Sequence, residues 1–223
     1  MGKTKDIQIN GDGTCTFTFK DDACGENGVF DPGANQVGLK IDGKGRASLV
    51  LSQHFFPVLE KEGLRTHCIS TDVERGTMTC RHLTILPIEF IWRDRAWGSF
   101  CKMYGVQQGF PLGGLVEATL KDDALGDPRI NKEACILLGK MTTDQYEFCE
   151  SAIHRIGNIL KRELEKYAYD LIDFKVEFGV DQKGNILLAD EVSGDIWRVL
   201  DKDGKSVDPI TCAKKICREH YPA

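Results

Sequence analysis

The chain has 223 residues, 41% of them hydrophobic and 28% charged, with 29 Lys+Arg against 34 Asp+Glu and a net charge of -5. A chain of this length buries roughly 70% of its unfolded surface and needs no metal or disulfide staple, and it lacks the basic footprint that a phosphate backbone requires, which excludes nucleic acid as the partner. The longest apolar runs, residues 47–51 and 85–92, fall far short of the roughly 20 residues that span a bilayer, and residues 1–11 are mostly polar, so neither a membrane segment nor a signal peptide is expected.

In chain order, Thr14, Thr16, Phe17, Thr18 and Phe19 are β-prone, residues 21–45 are rich in Gly, Asp and Asn, and Asp31-Pro32-Gly33 has the composition of a turn. Residues 46–61 predict a helix with Leu49, Leu51, Phe55, Val58 and Leu59 on one side and Gly63 as its stop; Pro57 predicts a kink or a late start. Strands are expected at residues 65–70, 78–83 and 88–92. After a charged loop at 120–128, residues 144–169 carry the longest periodic segment, with Phe148, Ala152, Ile156, Leu160, Leu164 and Tyr167 on one stripe and Asp144 with Glu147 as a capping box. Residues 171–178 and 186–192 read as strands joined by a hairpin through 179–185. Strands mixed with a few long helices, without regular βαβ alternation, indicate an α+β fold. Nine cysteines (15, 24, 68, 80, 101, 135, 149, 212 and 217) at irregular spacing, with no Cys-x2-Cys pair, read as free thiols in a reducing compartment rather than as a disulfide or zinc framework.

Four constellations carry chemistry. Gly38-Leu39-Lys40-Ile41-Asp42-Gly43-Lys44-Gly45 fits the phosphate-loop pattern until its last position, where Gly replaces the hydroxyl that ligates magnesium, so it is rejected as a nucleotide-hydrolase loop and kept only as a backbone contact for an anion. In Asp173-Phe174-Lys175-Val176-Glu177-Phe178 the polar residues share one face, a pattern that by itself marks a solvated strand. If the following turn centres on Lys183-Gly184, Asp190 lies directly opposite Glu177, and two facing carboxylates call for a cation between them, which magnesium would supply. Arg93-Asp94-Arg95-Ala96-Trp97-Gly98-Ser99 offers forked donors and a close backbone approach to an anion, with Arg198 as a further cation; its plain reading is a surface ion pair at a strand end. Lys121-Asp122-Asp123-Ala124-Leu125-Gly126-Asp127-Pro128 is an acidic loop able to receive an ammonium or a second cation.

These segments, with Gly2-Lys3-Thr4-Lys5, Gly63-Leu64-Arg65-Thr66-His67, Pro87-Ile88-Glu89 and Ala189-Asp190-Glu191, together resemble the SAICAR synthetase family over nearly the whole chain and in order. The resemblance implies an ATP-dependent ligase that joins the carboxylate of carboxyaminoimidazole ribotide (CAIR) to the amine of L-aspartate in purine biosynthesis, with ATP and magnesium. It implies that Lys3 and Lys5 lie along the ATP phosphates and that Arg81 borders the adenine. It implies that Glu177 and Asp190 hold magnesium, that Lys175 and Asp173 sit at the reacting carboxylate, and that Arg93, Gly98, Ser99 and Arg198 bind the ribotide. Lys121 and Asp123 are assigned by it to aspartate or the ribotide. The implied architecture is a two-part α+β fold distantly like ATP-grasp and kinase folds. A smaller N-terminal antiparallel sheet (1–85) covers the ATP phosphates, a larger C-terminal part (86–223) carries the magnesium and ribotide sites, and ATP lies in the cleft. A cytoplasmic homo-oligomer, most simply a dimer, follows from the same resemblance, with no nucleic acid or membrane as partner. Trp97 stands where a small residue is expected, and Gly194 and Trp197 alter the pattern before Arg198; a paralogue joining a different carboxylate and amine is the alternative, and a nucleotide-binding module without catalysis a more distant one.

Overall fold

A computed structural model describes residues 2–26, 28–34 and 36–221, except for the side chains of Glu26 and Asp123. The chain divides into two units, one made of Met1–His82 with Glu191–Ala223 and the other of Leu83–Asp190.

In the first unit, β1 (Lys5–Ile9) and β2 (Thr14–Phe19) form a hairpin whose turn is held by the Asp12 carboxylate, which accepts from Thr14 N and Oγ1. The short strands β3 (Asp22–Glu26), β4 (Val29–Phe30) and β5 (Val37–Lys40) make a second antiparallel sheet in the order β4-β3-β5, where the sequence suggested loop. Asp31-Pro32-Gly33 is the expected turn, with Ala34 N donating to Asp31 O at 3.0 Å. Helix α1 (Lys44–Lys61) begins two residues before its expected start, continues through Pro57, and stops at Gly63 (φ 78°), whose N–H donates to Glu60 O. Strands β6 (Cys68–Asp72) and β7 (Thr77–Arg81) complete the first sheet in the order β1-β2-β7-β6, and Cys15, Phe17, Met78 and Cys80 are buried.

The second unit is built on one antiparallel sheet. Its strands are β8 (Thr84–Arg95), β9 (Pro111–Leu120), β10 (Asp170–Val180) and β11 (Ile186–Leu188), in the order β11-β10-β8-β9. Between them lie α2 (Ser99–Tyr104), α3 (Lys132–Leu137) and α4 (Thr143–Glu165), and α4 packs on β8, β9 and β10. One face of the sheet is apolar: Ile88, Phe90 and Trp92 on β8 lie beside Phe174, Val176 and Phe178 on β10 beneath α4, and Phe90 meets the Tyr146 ring edge-on at 5.2 Å. Gly157 lets the helix come close, since a Cβ there would lie 2.5 Å from the Trp92 ring. The capping box of α4 is Thr142 with Gln145, two residues before the expected Asp144 and Glu147. Of the expected stripe, Ala152, Ile156, Leu160 and Leu164 are buried, joined by Cys149 and Ile153, whereas Phe148 points outward. The helix also ends before Tyr167.

The last part of the first unit comprises β12 (Trp197–Leu200) and α5 (Pro209–Ile216), the latter packed on α1 and capped by Asp208. Residues after Asp190 group with Met1–His82 rather than with the segment that precedes them. That assignment depends on tertiary packing, of which composition holds no trace.

Candidate active site

The face of the second unit's sheet opposite α4 is polar, and the strand registers make it legible row by row. Glu177 on β10 faces Glu89 on β8, which faces Thr119 on β9; Asp173 faces Arg93. Opposed residues project to the same side, and residues two apart on one strand do too, so Asp173, Lys175, Glu177, Glu89, Arg93, Glu117 and Thr119 share this face.

At one end, Arg93 is 2% exposed and donates from Nη1 to Asp173 Oδ2 at 2.6 Å and from Nε to Glu117 Oε2 at 2.7 Å. A buried guanidinium needs such carboxylates to offset its desolvation. Asp173 is therefore the counter-ion of Arg93, and Glu117, which also pairs with Arg129, bridges two arginines. Gly98 (φ 52°) precedes α2, Ser99 opens that helix and is exposed, and the Phe100 ring lies 5.6 Å from the Arg93 guanidinium and 5.8 Å from that of Arg129.

At the other end, Lys121 Nζ donates to Glu177 Oε1 at 2.7 Å, and Lys175 Nζ lies 3.4 Å from Glu89 Oε2. Burial and the Asp190 charge hold the Glu177 carboxyl above the usual carboxylate range, with Lys121 offsetting them only in part and Glu89 adding to them. Burial works against the charge on Lys121, yet Glu177, Glu89 and Asp190 outweigh it and hold the ammonium well above the ordinary lysine range.

The expected register of the hairpin is off by one. Phe178 faces Leu188 and Val180 faces Ile186, so the turn centres on Lys183 and Ala189 stands opposite Glu177, donating its N–H to Glu177 O at 2.9 Å. The ladder ends at Leu188, and Asp190 takes a left-handed backbone (φ 66°). In a regular strand this shift would send Asp190 to the opposite face; off the ladder, its charge still acts on Glu177. Two carboxylates with excess negative charge suit a hard divalent cation whose remaining ligands are phosphate oxygens and water. Among the described residues no group of three or more His, Cys, Asp or Glu is arranged to hold a metal.

The remaining expected residues lie in the first unit. Lys3 is exposed at the start of the chain; Lys5 on β1 is 6% exposed and ion-paired with the buried Glu191, whose other oxygen accepts from Ser193 Oγ. Arg81 ends β7 and donates to Thr66 O at 3.2 Å. Arg198 donates to Asp31 Oδ1 at 2.8 Å from Nη2 and 3.2 Å from Nε; a Cβ on Gly33 would strike it. The phosphate-loop lookalike turns inward: Lys44, the first residue of α1, is fully buried and donates to Asp195 Oδ2 at 2.5 Å, so the anion its side chain meets is a carboxylate of its own chain. Trp197 is buried edge-on against Phe55 at 5.1 Å, a packing role. Lys121 joins the polar face, while the Asp123 side chain lies outside the described residues.

Sequence reasoning missed Glu117, Arg129 and Glu191 as site residues and left Glu89 without a role. Strand alternation from Leu115 to Lys121 carries the signal for Glu117; Arg129 enters through an isolated bridge to Thr119 that leaves no pattern in the sequence.

The family model described as SAICAR synthetase matches residues 1–222. The chain is 44% identical over 220 residues to the phosphoribosylaminoimidazole-succinocarboxamide synthase of Clostridium tetani, covering 96% of each chain. It is 39% identical over 186 residues to that of Finegoldia magna, covering 83% of this chain and 77% of the relative. A SAICAR synthetase (type 2) solved in complex with ADP superposes with a TM-score of 0.87 at 32% identity, covering 99% of this chain and 96% of the other. The SAICAR synthetase of Pyrococcus horikoshii OT3 gives 0.84 at 30%, covering 96% and 97%. With this agreement in sequence and in α+β architecture along its length, the chain belongs to the SAICAR synthetase family, ATP-dependent ligases of purine biosynthesis.

Proposed function

We propose that this enzyme condenses CAIR with L-aspartate, converting ATP to ADP and phosphate, with Glu177 and Asp190 holding a magnesium ion that neutralises nucleotide phosphate charge. The observation that carries this reading is the single polar face on which Glu177, Glu89, Lys121, Lys175, Asp173 and Arg93 converge. ADP bound to a structural relative supports the choice of nucleotide. A cytoplasmic homodimer is proposed on the family likeness, and the nine free thiols agree with the compartment.

In this reading a CAIR carboxylate oxygen attacks the γ-phosphorus, ADP leaves, and an acyl phosphate results. The aspartate amine then adds to the acyl carbon, the C–O bond to phosphate breaks, and the nitrogen gives up its proton. Lys175 stabilises the charge that builds on the transferring phosphoryl group and on the tetrahedral centre. Asp173 orients Arg93, and Arg93, Gly98, Ser99 and Arg198 take the ribotide. Lys3 and Lys5 meet the ATP phosphates and Arg81 the adenine, while Lys121 and Asp123 border the two substrates. A different carboxylate and amine pair is the second reading; Trp97 is what favours it, since Trp197 is occupied in packing on Phe55.

The test is incubation of purified protein with CAIR, L-aspartate and magnesium-ATP, following ADP release and product mass. Product that requires all three substrates is expected. Folded protein that binds ADP but forms no product from these substrates overturns the assignment in favour of another pair.

A further inference from the structure

Arg129 and Thr119 lie on the polar face with no part in the reaction as described above. Residues 128–130 run beside β9: Leu120 N donates to Pro128 O at 2.9 Å, Ile130 N donates to Ala118 O at 3.0 Å, and Thr119 and Arg129 oppose each other in an antiparallel bridge. Opposed residues project together, so Arg129 extends the row Glu177, Glu89, Thr119 by one more chain segment.

Both side chains have donors to spare. The Thr119 hydroxyl is buried and has no hydrogen-bond partner among the described residues. Leaving such a group unsatisfied costs about 1–3 kcal/mol, and native structures rarely keep one without a use. The Arg129 side chain is four-fifths buried, stacked 5.2 Å from the Tyr104 ring, and meets Glu117 and Tyr104 Oη through Nη1. Neither its Nε nor its Nη2 makes a hydrogen bond among the described residues. A planar donor fork beside an unsatisfied hydroxyl is a carboxylate receptor. On the next strand, at the ordinary backbone spacing of about 4.8 Å, Glu89 pairs with Thr119, so the row reads guanidinium, hydroxyl, carboxylate, the order of groups that would meet the carboxylate and ammonium of an amino acid.

We propose that Arg129 and Thr119 bind the carboxylate end of the amine substrate, an α-amino dicarboxylate, with its ammonium directed toward Glu89. The proposal rests on the reading of L-aspartate as that substrate and names the residues that orient it.

Steady-state kinetics of Thr119→Val and Arg129→Met test it, with each substrate varied in turn. Loss of a hydrogen bond to a charged group gives about a tenfold or greater rise in KM for L-aspartate, with KM for CAIR and ATP unmoved. Thr119→Val is nearly isosteric and removes an unsatisfied hydroxyl, so its thermal midpoint stays level or rises while aspartate recognition falls, a split that a purely structural role does not produce. Should Arg129→Met fail to fold, Thr119→Val alone decides. An unchanged aspartate KM, or a rise confined to CAIR, overturns this inference and leaves the proposed function standing. A wild-type enzyme that makes no product from L-aspartate overturns both.

Discussion

Glu177 illustrates how a residue's surroundings define its task. Its carboxyl is held above the usual range by burial and by Asp190, so a lone negative charge there is disfavoured, which accords with the cation proposed beside it. Glu177→Gln is accordingly expected to abolish magnesium-ATP turnover while leaving the thermal midpoint no lower than wild type; turnover near the wild-type rate in that variant removes Glu177 from the metal site. Glu191 has the opposite character, a buried carboxylate whose charge is matched by Lys5 and supported by Ser193. Breaking a buried pair by removing one partner's charge leaves the other uncompensated and costs about 3–5 kcal/mol. Glu191→Gln should therefore lower the urea midpoint of unfolding and raise KM for ATP, whereas a change in KM for CAIR alone would disconnect Lys5 from the nucleotide.

Among the elements, α4 and β10 show where the sequence is transparent and where it is opaque. The alternation of Asp173, Lys175 and Glu177 with Phe174, Val176 and Phe178 gives both the strand and its polar face directly, because the two faces of a half-buried strand differ in solvent. The hairpin register was less legible. The turn centres on Lys183 rather than between Lys183 and Gly184, which shifts the pairing by one residue, and Asp190 leaves the ladder through a left-handed backbone. The α4 stripe is legible at Ala152, Ile156, Leu160 and Leu164 and fails at Phe148, which is apolar and yet faces solvent. No pattern in the sequence marks Arg129, whose position is set by a single bridge. The contact of α4 with β8 has its own test. Gly157→Ala drives a methyl to within 2.5 Å of the Trp92 ring, and overpacking of this kind costs about 1–3 kcal/mol. A lowered urea midpoint with unchanged substrate KM values is expected; full stability would mean that the helix can shift away from the sheet without cost.

For the molecule as a whole, the thiols set a limit on the alkaline side. Burial pushes Cys68 up to about 11, with Glu60 adding to the shift, and Cys149 and Cys217 up to about 12. Between the ordinary thiol value near 9 and these raised values the folded chain holds more protons than the unfolded one, so stability present below pH 9 is lost as pH rises toward 11 and 12. Urea midpoints should decline over that interval, and Cys149→Ala should lessen the decline; an equal decline in the variant assigns it to other groups. At neutral pH the same burial suppresses the thiolate form, so a thiol reagent should modify these three cysteines in the native enzyme far more slowly than after unfolding.

The chain enters the second unit at Leu83 and leaves it at Asp190, so one unit is nested in the sequence of the other. Synthesis from the N-terminus therefore delivers every residue of Leu83–Asp190 to a growing chain before the first unit has received its own last strand and helix. Lys5 is made before the inserted unit and Glu191, its buried counter-charge, after it. On the ribosome the inserted unit can complete its fold first, and the buried Lys5–Glu191 pair can close only once the segment after Asp190 has emerged.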